Sequence, residues 1–174
     1  MRRITLNIFD VSPFRAFVLA TMLSFMTFSP VAAQDYQKGY DAYQAGDYAT
    51  ALQEWRPLAE QGNATAQFNL GFMYYNGKGV PQDYAEAFKW WRLAAEQGDA
   101  IAQSNLGSLY EYGQGVLQDN VMAHMWYNLA AANGNEKSGE WRDEIANKMT
   151  PAAIEKAQAM ARECMSSGYT KCGD

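Results

Sequence analysis

An internal repeat of 36 residues constrains this chain more than any other feature. Residues 62–97 (GNATAQFNLGFMYYNGKGVPQDYAEAFKWWRLAAEQ) align without a gap to residues 98–133 (GDAIAQSNLGSLYEYGQGVLQDNVMAHMWYNLAAAN), and 18 of the 36 positions are identical. Such self-similarity is typical of stacked arrays, in which each unit can bury its apolar face only against its neighbours. The repeat therefore favours a solenoid.

Each full unit has the apolar pattern of two helices, because its large apolar residues recur at helical spacing. In the first unit these positions are Ala66, Leu70, Met73 and Tyr74 for one helix, and Ala87, Trp90, Leu93 and Ala94 for the next. The small residues among them allow close approach of the helices, and the bulky ones fill the space between layers. The predicted fold class is all-α.

The turn between the two helices contains glycines and a lysine, which also occur together in phosphate-binding loops. The second copy keeps the counterparts of Gly77, Gly79 and Asp83 but replaces Lys78 by glutamine. The spacing of a phosphate loop is absent as well. We therefore expect a structural turn in which the glycines adopt positive φ. We also expect Asp83 to cap the second helix, with Glu86 as its capping-box partner.

Altered units flank the two full copies. Upstream, residues 47–62 mirror residues 83–98 after a turn that is four residues shorter, and Pro57 should kink or shorten the helix there. Downstream, residues 136–148 predict a helix, and Thr150 followed by Pro151 predicts the start of another. One face of this last helix would carry Ile154, Ala157, Ala161 and Cys164.

The first 33 residues have the organisation of a secretory signal peptide. Arg2, Arg3 and Arg15 provide positive charge, residues 16–28 are uncharged and mostly apolar, and Ala33 ends a group of small residues suited to cleavage. A run of 13 residues is short for a bilayer span, which needs about 20; an uncleaved anchor is the alternative. We expect cleavage near Ala33 and a periplasmic or secreted chain without a membrane span.

The two cysteines of the chain lie near its C-terminus. Cys164 and Cys172 are the only two cysteines, and an even count in an exported chain predicts a disulfide. Free thiols or a metal site are the alternatives, but a chain with one histidine is a poor candidate for metal.

Without its first 33 residues the chain keeps 11 basic and 18 acidic side chains, a net charge of about −7. This charge argues against nucleic acid as a partner.

Both full units resemble the Sel-like repeat family, which is related to the tetratricopeptide repeats. They match its pattern A-x-A-x-x-x-L-G-x-x-Y-x-x-G-x-G-V-x-x-D-x-x-x-A-x-x-W-x-x-x-A-A-x-x-G at nearly every specified position, and the resemblance extends over residues 36–164. It implies an α/α solenoid with a right-handed superhelix that serves as a protein-binding scaffold. The resulting divisions are 1–33 (signal peptide), 34–61 (altered helix pair), 62–97 and 98–133 (full repeats), and 134–174 (helical cap with a disulfide-tied tail).

The motifs of common hydrolases are missing from the chain. It contains no HExxH, GxSxG or SxxK, and its one histidine, His124, stands where the preceding unit has Phe88, which favours a packing or surface role. Cysteine-rich members of the resembled family bind or hydrolyse β-lactams, so a periplasmic hydrolase related to them is the alternative function. This chain lacks their cysteine pairs in successive repeats. We expect no enzymatic activity, cofactor or metal.

The resemblance also implies where a partner would bind, because the first helix of each unit lines the concave surface of such stacks. The implied contact positions are Phe68, Phe72, Tyr75, Asn76, Ser104, Ser108, Glu111 and Tyr112, with Thr65 and Ile101 beside them. We expect a groove that is aromatic toward the N-terminus and polar beyond it. The alternative is that these rings complete the core, above all Tyr36, Tyr40 and Tyr43 at the end of the stack. The expected partner is another protein or a peptide, bound by a monomer in a regulatory or adaptor role in the bacterial cell envelope.

Overall fold

Eight α-helices and no strand make up residues 35–173, the part of the chain that this computed structural model describes. The helices are α1 (Tyr36–Gln44), α2 (Tyr48–Glu60), α3 (Ala64–Asn76), α4 (Tyr84–Ala95), α5 (Ala100–Tyr112), α6 (Asn120–Ala132), α7 (Glu136–Ala146) and α8 (Pro151–Ser166). The predicted all-α fold class is confirmed. The expected signal peptide lies outside the described residues.

The helices stack in chain order as a solenoid. Each of α1 to α7 packs mainly on the helices before and after it in the sequence, so that α1–α2, α3–α4 and α5–α6 form successive hairpins. Helix α7 stands where the first helix of another unit would be. Helix α8 instead packs mainly on α6, so the C-terminal cap does not continue the series of hairpins.

Polar side chains begin the helices, as the sequence predicts for two of them. The Asp83 carboxylate accepts hydrogen bonds from the backbone N–H groups of Ala85 and Glu86, at 2.9 and 3.0 Å. Thr150 caps α8 with Pro151 at its first position. These caps satisfy backbone donors that have no partner within the helix.

The capping box expected at Asp83 is not formed, which corrects that prediction. The backbone N–H of Asp83 donates to the Tyr74 carbonyl at 3.0 Å, so it is already paired across the turn. The Glu86 carboxylate lies 3.5 Å from the Lys89 ammonium on its own helix. Only the half of the box in which Asp83 is the acceptor exists.

The turn after α3 has the structural role that its recurrence predicts. Gly77 and Gly79 have φ of 65° and 71°, and Gly113 and Gly115 have 66° and 72° in the second copy. Positive φ strains residues with a Cβ, so these positions favour glycine. The Lys78 ammonium donates to the Tyr48 hydroxyl of α2 at 2.8 Å. The lysine therefore holds the turn against the preceding unit.

Within each hairpin a ring of the second helix packs against a glycine of the first. Trp91 lies against Gly71, where an added Cβ would come within 2.5 Å of the indole Nε1. The same indole N–H donates to the Phe68 carbonyl at 3.1 Å. Trp91 is thus 3% exposed, whereas Leu93, which the helical pattern assigned to the apolar stripe, is 38% exposed. The assignment of Leu93 is wrong because α4 packs mainly on α3 and α5 among residues 35–173, which leaves this side of it uncovered. The counterpart of Leu93 in the next unit, Leu129 of α6, is 0% exposed because it lies in one cluster with Ala161 and Cys164 of α8.

The proline in α2 does not shorten the helix, contrary to one of the two expected effects. Helix α2 continues through Pro57 to Glu60 and has 13 residues, the same length as α6. Proline removes one backbone donor. Trp55 and Ala59, which are 2% and 1% exposed on either side of it, anchor the last turns in the core.

The C-terminal segment is tied to α8 by the predicted disulfide between Cys164 and Cys172. On α8, Ala157, Ala161 and Cys164 are fully buried as expected, and Ile154 is half-buried. None of the helices in residues 35–173 combines the length and apolarity that crossing a bilayer requires.

Candidate peptide-binding groove

Three adjoining hollows lie along the first helices of successive units. The aromatic hollow encloses about 250 Å³ between α1 and α3, and its lining residues are Tyr40, Tyr43, Gln44, Trp55, Phe68, Asn69 and Phe72. The central hollow encloses about 150 Å³ and is lined by Phe72, Tyr75, Asn76, Trp91, Asn105 and Ser108. The acidic hollow encloses about 360 Å³ and is lined by Ile101, Ser104, Asn105, Ser108, Glu111, Tyr112, Tyr127, Asn135, Trp141 and Glu144.

The three hollows form one continuous surface, which we call the groove. Phe72 lines both the aromatic and the central hollow. Asn105 and Ser108 line both the central and the acidic hollow. The groove therefore extends from α1 across α3 and α5 to α7.

Exposed rings form the aromatic hollow. Tyr40 is 43% exposed and Phe72 is 39% exposed, although both are large and largely apolar. Tyr43 supports Phe72, since its ring lies 6.5 Å from that of Phe72 and 5.6 Å from that of the buried Trp55. Phe68 is half-buried and packs against the hydrophobic core, so it serves the fold as well as the groove.

Two asparagines at equivalent repeat positions have different surroundings. The Asn69 amide donates to the Tyr36 hydroxyl at 3.1 Å. Asn105, which borders two hollows, has no side-chain hydrogen bond to any residue within 35–173. Its half-buried carboxamide leaves a donor and an acceptor free in the middle of the groove.

The acidic hollow combines carboxylates with exposed rings. Glu111 is fixed in place, because the Tyr127 hydroxyl donates to its Oε2 at 3.0 Å and the Lys148 ammonium lies 3.4 Å from its Oε1. Burial, followed by the charge of Glu111, raises the pKa of Tyr127 far above its ordinary value, so the hydroxyl keeps its proton. Trp141 is 38% exposed beside it, with its ring 5.8 Å from that of Tyr127.

The eight contact positions inferred from the sequence all line the groove, although their exposure differs. Tyr112 is 66% exposed, whereas Ser104 is 4% exposed and its hydroxyl accepts a hydrogen bond from Ser138 at 2.8 Å. Asn76 donates to the carbonyl of Phe72 in its own helix at 2.8 Å. Whether these positions contact a partner stays a prediction.

The sequence inference missed the residues that complete the two ends of the groove. Trp141 and Glu144 of α7 lie one period of 36 residues after Asn105 and Ser108. Extending the register of the repeat into the C-terminal segment would have placed them on the same face. At the other end, the position of Tyr40 and Tyr43 at the end of the stack favours a role in completing the core, and the shorter turn of that unit shifts their register by four residues.

His124 lies away from the groove and packs inside the stack, one of the two roles expected for it. It is 2% exposed. Among residues 35–173, no three His, Cys, Asp or Glu side chains are grouped so that they could hold a metal ion.

Comparisons with known proteins agree with this architecture. The family model described as Sel1 repeat matches residues 64–99 and 100–135. A Sel1 repeat protein from Oxalobacter formigenes is 40% identical, with a TM-score of 0.56, over 60% of this chain and 82% of that one. A protective antigen of uropathogenic Escherichia coli strains, described as displaying an SLR fold, is 32% identical, with a TM-score of 0.71, over 75% of this chain. This chain spans only 30% of the length of that antigen. No curated protein shows significant similarity.

Proposed function

Because this chain belongs to the Sel1 repeat family, whose repeats generally mediate protein–protein interactions, we propose that it is a non-enzymatic interaction module. It binds a peptide, or the edge of another protein, in the groove. We further propose that the bound partner is regulated or recruited by this binding, and that the protein acts as a monomer.

The continuity of the groove carries this proposal. Three hollows meet along one side of the stack and share Phe72, Asn105 and Ser108. At one end the large rings of Tyr40 and Phe72 are 43% and 39% exposed. Rigid aromatic side chains present a large contact area with few rotatable bonds, so they lose little entropy when a partner binds.

We propose the bacterial cell envelope as the location. The order of charge, apolar run and small residues over positions 1–33 supports export. The disulfide between Cys164 and Cys172 also supports it, because disulfides persist mainly in oxidising compartments.

The test compares capture from an envelope extract by residues 34–174 and by the double variant Tyr40→Ser/Phe72→Ser. We expect the variant to lose the captured protein, since an interface that loses two aromatic contacts binds about tenfold or more weaker. Phe68 is left unchanged because it also packs on the core. The variant's thermal unfolding should stay within a few degrees of the parent, because the altered side chains are partly exposed.

A matched control removes an exposed apolar side chain outside the groove. Leu117, in the turn before α6, is 90% exposed and lines none of the three hollows. The variant Leu117→Ser should capture the same protein as the parent chain. Equal capture by the groove variant and by this control would contradict binding in the groove.

A further inference from the structure

Equivalent positions of the first helices change in character from one end of the groove to the other. On α3 they hold Phe68, Phe72 and Tyr75, and on α5 they hold Ser104, Ser108 and Glu111. On α7 they hold Glu140 and Glu144, and the third position is Asn147, the residue directly after this helix. The common period places each set on the corresponding face of its helix. The groove therefore runs from aromatic to small and polar and then to acidic.

The aromatic end is suited to an apolar side chain. The hollow between α1 and α3 offers the exposed rings of Tyr40 and Phe72 with no charged residue among those that line it. Burying an aliphatic or aromatic side chain there would remove apolar surface of both partners from water.

The acidic end is suited to a cation. Lys148 compensates the charge of Glu111, but no Lys, Arg or His of residues 35–173 lies within ion-pair distance of Glu144. The exposed ring of Trp141 lines the same hollow. A carboxylate beside an aromatic ring is a favourable environment for lysine or arginine, which gain both a charged hydrogen bond and a cation–π contact.

Resting on the proposed groove function, we infer that the occupant is an extended peptide segment with apolar side chains at one end and lysine or arginine at the other. The apolar end occupies the aromatic hollow and the basic end lies at Glu144. Asn105, with its free carboxamide between them, bonds to the main chain of the segment. The groove crosses four first helices, and neighbouring ones lie no closer than the separation of about 10 Å between directly packed helices. It therefore spans at least roughly 30 Å, which takes about nine or more residues of extended chain to cover.

The probe is a fluorescein-labelled peptide of nine residues with two leucines at one end, a serine-glycine middle and two arginines at the other. One comparison peptide has glutamates in place of the arginines, another has serines in place of the leucines, and each is made in both chain directions. Fluorescence anisotropy with residues 34–174 should show that the leucine–arginine peptide binds at least tenfold tighter than either comparison peptide. Its affinity should also fall as salt is raised.

Charge reversal in the protein gives the sharper test. Glu144→Lys should lower the affinity for the leucine–arginine peptide about tenfold and raise the affinity for the leucine–glutamate peptide. Glu155→Lys is the control, since it makes an equal charge change on an exposed residue of α8 outside the groove. It should change the affinities for both peptides equally and by less than threefold. An equal effect of the two substitutions would overturn the inference.

The outcomes separate this inference from the proposed function. If the leucine–glutamate peptide binds as tightly as the leucine–arginine peptide and both are lost with Tyr40→Ser/Phe72→Ser, the polarity of the occupant is wrong and groove binding stands. If no peptide binds but envelope capture still depends on Tyr40 and Phe72, the inference is again overturned alone. If neither peptide binding nor capture responds to that double variant, both fail.

Discussion

Among single residues, the only histidine of the chain lies where a positive charge is unfavourable. His124 is 2% exposed on α6, and within residues 35–173 its Nδ1 has no hydrogen-bond partner. Burial lowers the pKa of the imidazole, and the nearby charge of Arg142 on α7 lowers it further, while Asp143 opposes the shift. The native state therefore holds the imidazole neutral at pH values at which the unfolded chain is already protonated.

This difference predicts a loss of stability on mild acidification. Above the ordinary pKa of 6.5 the imidazole is neutral in both states, and the free energy of unfolding is not reduced by its titration. As the pH falls below that value, the free energy of unfolding decreases, because the unfolded state then binds a proton that the native state does not. His124→Phe, which installs the residue found at position 88 of the preceding unit, should flatten the dependence between about pH 7 and pH 5. Urea unfolding at several pH values measures the slope, and equal slopes for parent and variant would contradict the prediction.

Two glutamines illustrate what the sequence could not reveal about single residues. Gln67 and Gln103 are identical in the two repeats, but nothing in a polar side chain indicates burial. In the structure both are buried, and their Nε2 atoms donate to the Ala59 and Ala95 carbonyls at 3.0 Å. Their Oε1 atoms accept from residues 97 and 133, at 2.7 and 2.9 Å. The bonds to the carbonyls connect each unit to the one before it, and the bonds to the Oε1 atoms join the first helix of a unit to the end of that same unit. Neither relation is visible in the sequence.

At the scale of helices, the contact between a glycine and a ring sets how closely the two members of a hairpin approach. Gly39 meets Trp55, Gly71 meets Trp91 and Gly107 meets Tyr127. The altered N-terminal unit thus keeps this contact although its turn is four residues shorter. A side chain larger than hydrogen at the glycine would force the ring out of its slot.

The prediction at this scale concerns Gly71→Ala. We expect the free energy of unfolding to fall by about 1–3 kcal/mol, since the added methyl group overlaps the Trp91 indole and overpacks the core. Gly139→Ala in α7 is the matched control, because its added Cβ would lie 3.7 Å from that of Ala131, an ordinary contact. That substitution should instead stabilise by about 0.5–1 kcal/mol. Chemical denaturation of both variants measures these free energies of unfolding. A Gly71→Ala protein as stable as the control would contradict the predicted overlap with the Trp91 indole.

Helix starts could be predicted and helix docking could not, for a physical reason. Asp83, Thr150 and Pro151 act on backbone groups within a few residues, so their effect is visible in the local sequence. Whether a stripe residue is buried depends on which distant helix covers it: Leu93 and Leu129 hold the same repeat position, but only Leu129 lies against α8, and the pattern therefore misassigned Leu93. The packing of α8 on α6 likewise depends on surfaces that are far apart in the sequence.

For the molecule as a whole, repetition made the groove largely predictable. A fixed period places equivalent positions on one side of the stack, so the eight contact positions could be assigned to that side from two aligned units. The ends, with Tyr40 at one and Trp141 and Glu144 at the other, belong to altered units in which the register is harder to follow. The ends nevertheless give the groove its polarity, so the most informative residues were those that the repeat pattern described least well.

The last prediction separates the stability of the whole molecule from its binding surface. The Cys164–Cys172 disulfide joins residues eight positions apart, and closing a loop of that length stabilises by about 2–3 kcal/mol through the unfolded state. It also holds Tyr169, whose hydroxyl donates to Asn133 at 2.9 Å, and Asn133 in turn donates to Gln103. Cys172→Ser should therefore lower the free energy of unfolding by about that amount.

Reductant provides the control within the same experiment. Dithiothreitol should destabilise the parent chain to a similar degree and leave Cys172→Ser unchanged, because that variant has no bond to break. Peptide affinity at a temperature where both proteins are folded should be equal, since no residue after Glu144 lines the groove. If dithiothreitol leaves the free energy of unfolding of the parent chain unchanged, the disulfide does not contribute to its stability. A loss of peptide affinity in the folded variant would show that stability and binding are coupled through the bonds of Asn133.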